Sequence, residues 1–97
     1  MADPCAVYSL ADNNILHEAG AITSQRQRAY GHPVVNFQRI ADFWNIQLAN
    51  KLSAPITARD VGLMMISVKL AREIHAPARD NLIDIAGYAQ CIGSIPG

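Results

Sequence analysis

Apolar residues recur along this chain at the three- and four-residue spacing of amphipathic helices. The first such stretch begins near Asp12 or Asn13, which are both good N-cap types. Its apolar face is formed by Ile15, Leu16, Ala19 and Ile22. We predict a first helix that runs from about Asp12 to Thr23 or beyond, preceded by a flexible tail over residues 1–11.

A second amphipathic stretch comes after a predicted loop. Gly31 and Pro33 stop the first helix and set this loop, and Asn36 is a suitable N-cap for the next helix. Helical spacing then links Phe37, Ile40, Ala41, Trp44 and Leu48. We predict a second helix from about 36 to 51 that buries Trp44.

The third predicted helix is apolar around most of its circumference. Thr57 and Asp60 form a capping box at its start, and Pro77 ends it. Its first turns contain Val61, Leu63, Met64, Met65, Ile66, Val68, Leu70 and Ala71. Because so little of this surface is polar, we predict that the helix is central and surrounded, with both methionines in the core.

A fourth helix is predicted to begin near Asp80 or Asn81, either of which can act as its N-cap. Its apolar residues are Leu82, Ile83, Ile85, Ala86, Ala89 and Ile92. No stretch of the sequence shows the alternation of a strand. The pattern therefore predicts an all-α fold, a compact bundle of about four helices that forms one domain over residues 12–97.

Size and composition narrow the class of protein. The chain has 97 residues, of which 51% are hydrophobic, 16% charged and 6% aromatic. It is too apolar for a disordered chain, too interrupted by charge for a membrane span and too short for a large α/β enzyme. A fold this small offsets its conformational entropy with difficulty. We therefore expect homo-oligomerisation through the third and fourth helices.

Charge and cysteine content disfavour several partners. Eight Lys and Arg residues balance eight Asp and Glu residues, so the chain lacks the positive field typical of nucleic-acid binding. Cys5 and Cys91 lie in no metal-binding or redox spacing. The first residues lack the basic and then apolar order of a secretory signal. We expect a cytoplasmic protein that binds neither a membrane nor nucleic acid.

Polar residues on the fourth helix form a stripe at four-residue spacing. Asp80, Asp84 and Tyr88 make up this stripe, and an antiparallel hairpin would bring Lys69 and Arg72 near it. These residues could be a salt-bridge cluster that fixes the register of the hairpin. The alternative is a pocket in which the carboxylates hold Mg²⁺ and the cations meet phosphate oxygens.

A second polar group surrounds the predicted turn between the first two helices. Arg26 offers a planar fork for phosphate, Tyr30 an aromatic face and Asn36 an amide that can hydrogen-bond a base. The alternative is a solvated helix end and then a capped turn, which needs no ligand. Both interpretations remain open from the sequence.

Three ordered motifs over about residues 15 to 92 resemble a family of small phage and prophage proteins catalogued as a domain of unknown function. The motifs are RQxxYGxPxxNF at 26–37, DVxxMMxxxKxxR at 60–72 and DNxxDIAGYA at 80–89. The resemblance implies a phage or prophage origin and a cytoplasmic role in an infected bacterium. It implies no reaction.

The acidic stripe of the fourth helix is also similar to the last acidic helix of the MazG-like all-α nucleoside triphosphate pyrophosphohydrolases. Those enzymes place carboxylates on facing helices around Mg²⁺. The chain departs from their pattern on the preceding helix, where Lys69, Arg72 and Glu73 replace a Glu-x-x-Glu pair. The resemblance therefore makes Mg²⁺-dependent hydrolysis an alternative and leaves open whether the protein is an enzyme.

We expect a protein that binds a nucleotide or nucleotide-derived phosphate ligand and sequesters it from host defence. Arg26, Lys69 and Arg72 would contact phosphates, and Asp80 and Asp84 would orient those cations or a Mg²⁺ ion. The remaining predicted ligand contacts are stacking on a base by Tyr30 or Tyr88 and a hydrogen bond from Asn36. Alternatives to binding and hydrolysis are an inhibitor that binds a host defence protein and a purely structural oligomer.

Overall fold

A computed structural model describes residues 14–96, which form four α-helices. They are α1 (Ile15–Tyr30), α2 (Pro33–Gln47), α3 (Ala58–His75) and α4 (Arg79–Gly93). The prediction of an all-α fold is confirmed. The predicted caps Asp12 and Asn13, the predicted tail over residues 1–11 and Cys5 lie outside the described residues.

The connection between α1 and α2 is shorter than predicted. Gly31 has a φ of 86°, which favours glycine, and its N–H bonds to the Gln27 carbonyl to end α1. His32 then caps α2, because its Nδ1 accepts a hydrogen bond from the Val34 N–H at 3.1 Å. Pro33 is the first helical residue, where a missing N–H has no cost. The predicted N-cap, Asn36, therefore lies inside α2. The predicted bounds of 36 and 51 were wrong, because the helix runs from Pro33 to Gln47.

The start of α3 is fixed by its own sequence, as predicted. The Thr57 hydroxyl accepts a hydrogen bond from the Asp60 N–H at 3.1 Å. The Asp60 carboxylate accepts one from the Thr57 N–H at 2.9 Å. This reciprocal pair is a capping box, which satisfies two N–H groups that the helix cannot bond internally.

The start of α4 depends on the helix before it. Its N-cap is Ala78, not Asp80 or Asn81 as predicted. Glu73, near the end of α3, accepts hydrogen bonds from the Ala78 N–H at 2.9 Å and from the Asn81 side chain at 3.2 Å. A carboxylate from α3 thus binds the residue at which α4 begins, although no side chain among the described residues caps the first turn of this helix. Asp80 lies exposed in that turn.

The helices pack in an order that differs from their order in the chain. α4 packs against both α1 and α3, and α3 packs against α2. The main buried cluster lies where α2 meets α3 and contains Phe37, Ala41, Ile56, Ala58, Val61 and Ile95. Trp44 is partly buried and packs against this cluster. None of the helices within residues 14–96 is long and apolar enough to cross a membrane.

The outer face of α3 is exposed, although its sequence predicted a surrounded helix. Leu63, Met64, Val68, Leu70 and Ile74 are between 37% and 85% exposed. Only Ala58, Val61 and Gly62 of this helix are buried, and Met65 is partly buried against the core. The prediction was wrong because α2 and α4 cover one side of α3 and leave the other without a neighbour in the described chain.

Candidate functional site

A cleft of about 330 Å³ opens between α1, α4 and the start of α2. One face of α1 lines it through Ala19, Ile22, Thr23, Arg26, Gln27 and Tyr30. One face of α4 lines it through Ile83, Asp84, Gly87, Tyr88 and Cys91. Both sets have the three- and four-residue spacing of a single helix face, so the regular twist of each helix brings its side chains to the cleft.

Asp84 is the electrostatic centre of the cleft. Its carboxylate lies 2.9 Å from Lys69 Nζ on α3 and 3.9 Å from a guanidinium nitrogen of Arg26 on α1. The side chains of Lys69 and Asp84 are only 13% and 16% exposed, whereas that of Arg26 is 54% exposed. Lys69 and Asp84 therefore form a close pair between helices, and Arg26 remains able to reach an anion that enters the cleft.

Aromatic and amide groups complete the lining. Tyr88 packs beside Phe37 with ring centres 6.2 Å apart, whereas Tyr30 is exposed at the end of α1. Asn36 is half-buried at the start of α2, and its side-chain amide makes no hydrogen bond within residues 14–96. The cleft thus offers stacking surfaces and an amide whose donors and acceptor are available to a ligand.

The structure brings together five of the eight residues predicted to bind a ligand, namely Arg26, Tyr30, Asn36, Asp84 and Tyr88. Lys69 contacts Asp84 without lining the cleft. Arg72 and Asp80 are exposed outside it, since each lies in an end turn of its helix.

Sequence reasoning missed Gln27 and Cys91 as cleft residues. Gln27 lies three positions before Tyr30, and Cys91 lies three positions after Tyr88. Continuing the first predicted helix as far as Tyr30 would have placed Gln27 on the same face as Arg26 and Tyr30. The helical spacing was therefore a sufficient signal for Gln27, and the same spacing places Cys91 beside Tyr88 on α4.

The sequence model of a family described as a domain of unknown function, DUF6378, matches residues 14–96. The chain belongs to this family. The predicted resemblance to a phage family of unknown function is confirmed, because the similar proteins come from phages. The similarity to MazG-like enzymes stays a prediction.

Two similar proteins, each named "Gene 55 protein", come from mycobacteriophages. The protein of Mycobacterium phage L5 is 41% identical over 69 residues, which cover 70% of this chain and 42% of the phage protein. The protein of Mycobacterium phage D29 is 38% identical over 84 residues, which cover 84% of this chain and 53% of the phage protein. The DUF6378 chain thus spans about half the length of these relatives. No solved structure matches it.

The cleft of this DUF6378 protein does not fit the Mg²⁺ ion considered from the sequence. Asp84 is the only carboxylate among the described residues that line it, and two cations already face that group. Glu73 does not line the cleft, and it accepts hydrogen bonds from Ala78 and Asn81 at the start of α4. Residues 14–96 contain no group of three or more His, Cys, Asp or Glu side chains placed to hold a metal. An oxygen-liganded dication needs several such donors around it.

Burial raises the pKa of the Cys91 thiol above its ordinary value of 9.0, and the nearby Arg26 acts weakly in the opposite direction. Above pH 9.0 an unfolded chain would lose this proton more readily than the folded chain. We therefore predict that the free energy of unfolding falls as the pH rises above that value. Urea unfolding between pH 8 and 10 tests this, with Cys91→Ala as the control. The prediction is contradicted if the free energy of unfolding depends on pH in the same way in the unmodified protein and in Cys91→Ala.

Proposed function

We propose that this DUF6378 protein binds a nucleotide, or another phosphate-bearing ligand derived from a nucleotide, in the cleft between α1, α2 and α4. The observation that carries the proposal is the position of Arg26, a half-exposed guanidinium only loosely paired with Asp84. It lies in a cleft that also contains two tyrosines and an amide without a hydrogen-bond partner among residues 14–96.

Each part of a nucleotide has a counterpart in this cleft. The Arg26 fork can donate two parallel hydrogen bonds to phosphate oxygens. Tyr88 and the exposed Tyr30 provide aromatic faces for a base, and Asn36 can bond the edge of that base. A volume of about 330 Å³ is near the lower end of small-molecule sites, which favours a single nucleotide unit over a larger ligand.

Lys69 and Asp84 are assigned a positioning role in this proposal. Because Lys69 holds the carboxylate at 2.9 Å, Asp84 stays at the cleft and restrains the Arg26 guanidinium. An arriving phosphate competes with Asp84 for Arg26 without needing to move the closer pair. The phosphate contacts predicted for Lys69 and Arg72 have no support in this arrangement, since neither residue lines the cleft.

We propose sequestration of the ligand in the cytoplasm of an infected bacterium as the biological role. The phage origin of the similar proteins supports a function during infection. The cleft supplies groups for binding a nucleotide, whereas the donor set that Mg²⁺-dependent hydrolysis would need is not assembled there by the described residues. Holding a nucleotide signal would withhold it from a host defence protein.

Replacing Arg26 with alanine is predicted to weaken binding of the responding nucleotide by at least about tenfold, because losing even one of its two charge-assisted hydrogen bonds to phosphate has that effect. Isothermal titration with AMP, ATP, a cyclic dinucleotide and ADP-ribose, each with and without Mg²⁺, provides the measurement. Arg28→Ala is the matched control, because Arg28 lies on the same helix outside the cleft. Its affinity should equal that of the unmodified protein.

The outcomes separate the candidate functions. If none of these compounds releases or absorbs heat on titration, the proposal of nucleotide binding is overturned. If Arg26→Ala and Arg28→Ala lose the same affinity, the nucleotide does not bind in the cleft. Release of pyrophosphate from ATP only when Mg²⁺ is present would replace sequestration with the hydrolase alternative. Binding that is independent of Mg²⁺ and leaves the nucleotide intact is the expected result.

A further inference from the structure

We propose that Asp84 makes the cleft selective for a nucleotide whose phosphate carries a single negative charge, that is, a phosphodiester such as a cyclic mononucleotide. This selectivity rests on the proposed nucleotide binding and names the class of ligand for the same cleft. The charges that line the cleft and the backbone donors beside it both limit how much anionic charge a ligand can bring. Nucleotides with two or three phosphates should therefore bind more weakly.

The cleft offers one cation to a ligand and places one anion beside it. Of the fifteen described residues that line the cleft, Arg26 and Asp84 alone carry a charge at neutral pH. Lys69 does not line it and is paired with Asp84 at 2.9 Å. The two cations and one carboxylate together have one net positive charge, which a single phosphodiester anion neutralises. A triphosphate would bring further negative charges without meeting a second cation from these lining residues.

The Asp84 carboxylate is held where it repels additional anionic oxygens. Its Oδ2 lies 2.9 Å from Lys69 Nζ, whereas its Oδ1 lies 3.9 Å from a guanidinium nitrogen of Arg26. Because Lys69 holds Oδ2, Oδ1 stays beside Arg26 when a phosphate binds there. A phosphate oxygen that bonds the same nitrogen at about 2.8 Å lies within about 7 Å of Oδ1. Like charges at this separation repel each other in a partly solvated cleft.

The start of α2, which borders the cleft through Pro33 and Asn36, supplies no free backbone donor for a second phosphate. Pro33 has no N–H, and the Val34 N–H bonds to His32 Nδ1 at 3.1 Å. The N–H groups of Val35 and Asn36 both bond to the His32 carbonyl. Helix N-termini bind phosphates through such N–H groups when these are free. Here they are engaged, so this terminus contributes no donor to a polyphosphate chain.

Isothermal titration in EDTA, which prevents metal ions from neutralising phosphate charge, tests the selectivity. For each of four bases, the ligands are the 3′,5′-cyclic nucleotide and the 5′-mono-, di- and triphosphate. The cyclic nucleotide of the preferred base should bind most tightly. The selectivity ratio, defined as the dissociation constant of the triphosphate divided by that of the cyclic nucleotide, should be at least about five, as expected for charge repulsion near 7 Å.

The result separates this selectivity from nucleotide binding itself. If the triphosphate binds as tightly as the cyclic nucleotide, or more tightly, the selectivity is overturned and nucleotide binding is retained. If no compound of any series binds, nucleotide binding is overturned and the selectivity with it.

A second cation placed in the cleft should weaken the selectivity. Gln27 lines the cleft, so Gln27→Lys should lower the selectivity ratio at least about fivefold. Gln25→Lys is the matched control, because Gln25 is exposed on the same helix outside the cleft and the substitution adds the same charge. Its selectivity ratio should equal that of the unmodified protein. Equal decreases in both variants would assign the selectivity to the net charge of the protein and overturn its location in the cleft.

Replacing Asp84 tests its role in the selectivity. Asp84→Asn keeps the size of the side chain and removes the negative charge beside Arg26, so the selectivity ratio should fall at least about fivefold. A ratio is measured because a smaller folded fraction lowers both affinities alike. Asp80→Asn is the control, since Asp80 is exposed on the same helix outside the cleft, and its ratio should not change. An unchanged ratio in Asp84→Asn would overturn the role of this carboxylate.

Discussion

Replacing Asp84 with asparagine is expected to lower the free energy of unfolding by about 2 to 3 kcal/mol, because it leaves the Lys69 ammonium without its counter-charge. Both side chains are mostly buried and their charged atoms lie 2.9 Å apart. An ammonium in this position cannot recover the full hydration that it has in the unfolded chain. Chemical denaturation of the two proteins at neutral pH provides the measurement.

An exposed ion pair in the same protein is the matched control. Arg79 Nε lies 3.0 Å from Glu18 Oε2, but the two side chains are 47% and 46% exposed. Glu18→Gln should therefore change the free energy of unfolding by less than about 1 kcal/mol. A loss as large as that of Asp84→Asn would contradict the assignment of the larger effect to burial.

A second variant separates lost charge pairing from general disruption of α4. Adding Lys69→Met to Asp84→Asn removes the uncompensated ammonium and keeps a side chain of similar length. Most of the lost stability should return. If the double variant is no more stable than Asp84→Asn alone, the Lys69 charge is not the source of the effect.

Replacing Gly62 with alanine should lower the free energy of unfolding by about 2 kcal/mol, although alanine is the better helix former. A Cβ atom at Gly62 would lie 2.5 Å from Cγ1 of Ile92 and 3.3 Å from the Phe37 ring. Glycine at this position permits the close approach of α3 and α4. Denaturant unfolding of the variant tests the prediction.

Gly20→Ala is the matched control, with an expected effect of opposite sign. The nearest side-chain atom to a Cβ there is Oε1 of Gln90 at 4.0 Å, so the space is sufficient. This substitution should stabilise the protein by up to about 1 kcal/mol through helix propensity. In an Ile92→Ala background, Gly62→Ala should cost little. If Gly62→Ala lowers the free energy of unfolding as much in the Ile92→Ala background as in the unmodified protein, the clash with Ile92 is not the cause.

Local sequence determined the helices of this protein and much of the cleft lining. The apolar spacing predicted four helices, and Thr57 with Asp60 fixed the start of the third, because a capping box involves only atoms three residues apart. The same periodicity places Asp84 and Tyr88 on one face of α4. These features arise from the repeat of 3.6 residues per turn.

Features that depend on how the helices meet were decided only by the tertiary structure. Sequence could not show that Glu73 accepts hydrogen bonds at the start of α4 or that Asp84 lies between Lys69 and Arg26. Nor could it show that the apolar circumference of α3 has neighbours on one side alone within the described chain. A helical repeat specifies which residues share a face, whereas the partner of that face depends on the packing of the whole chain.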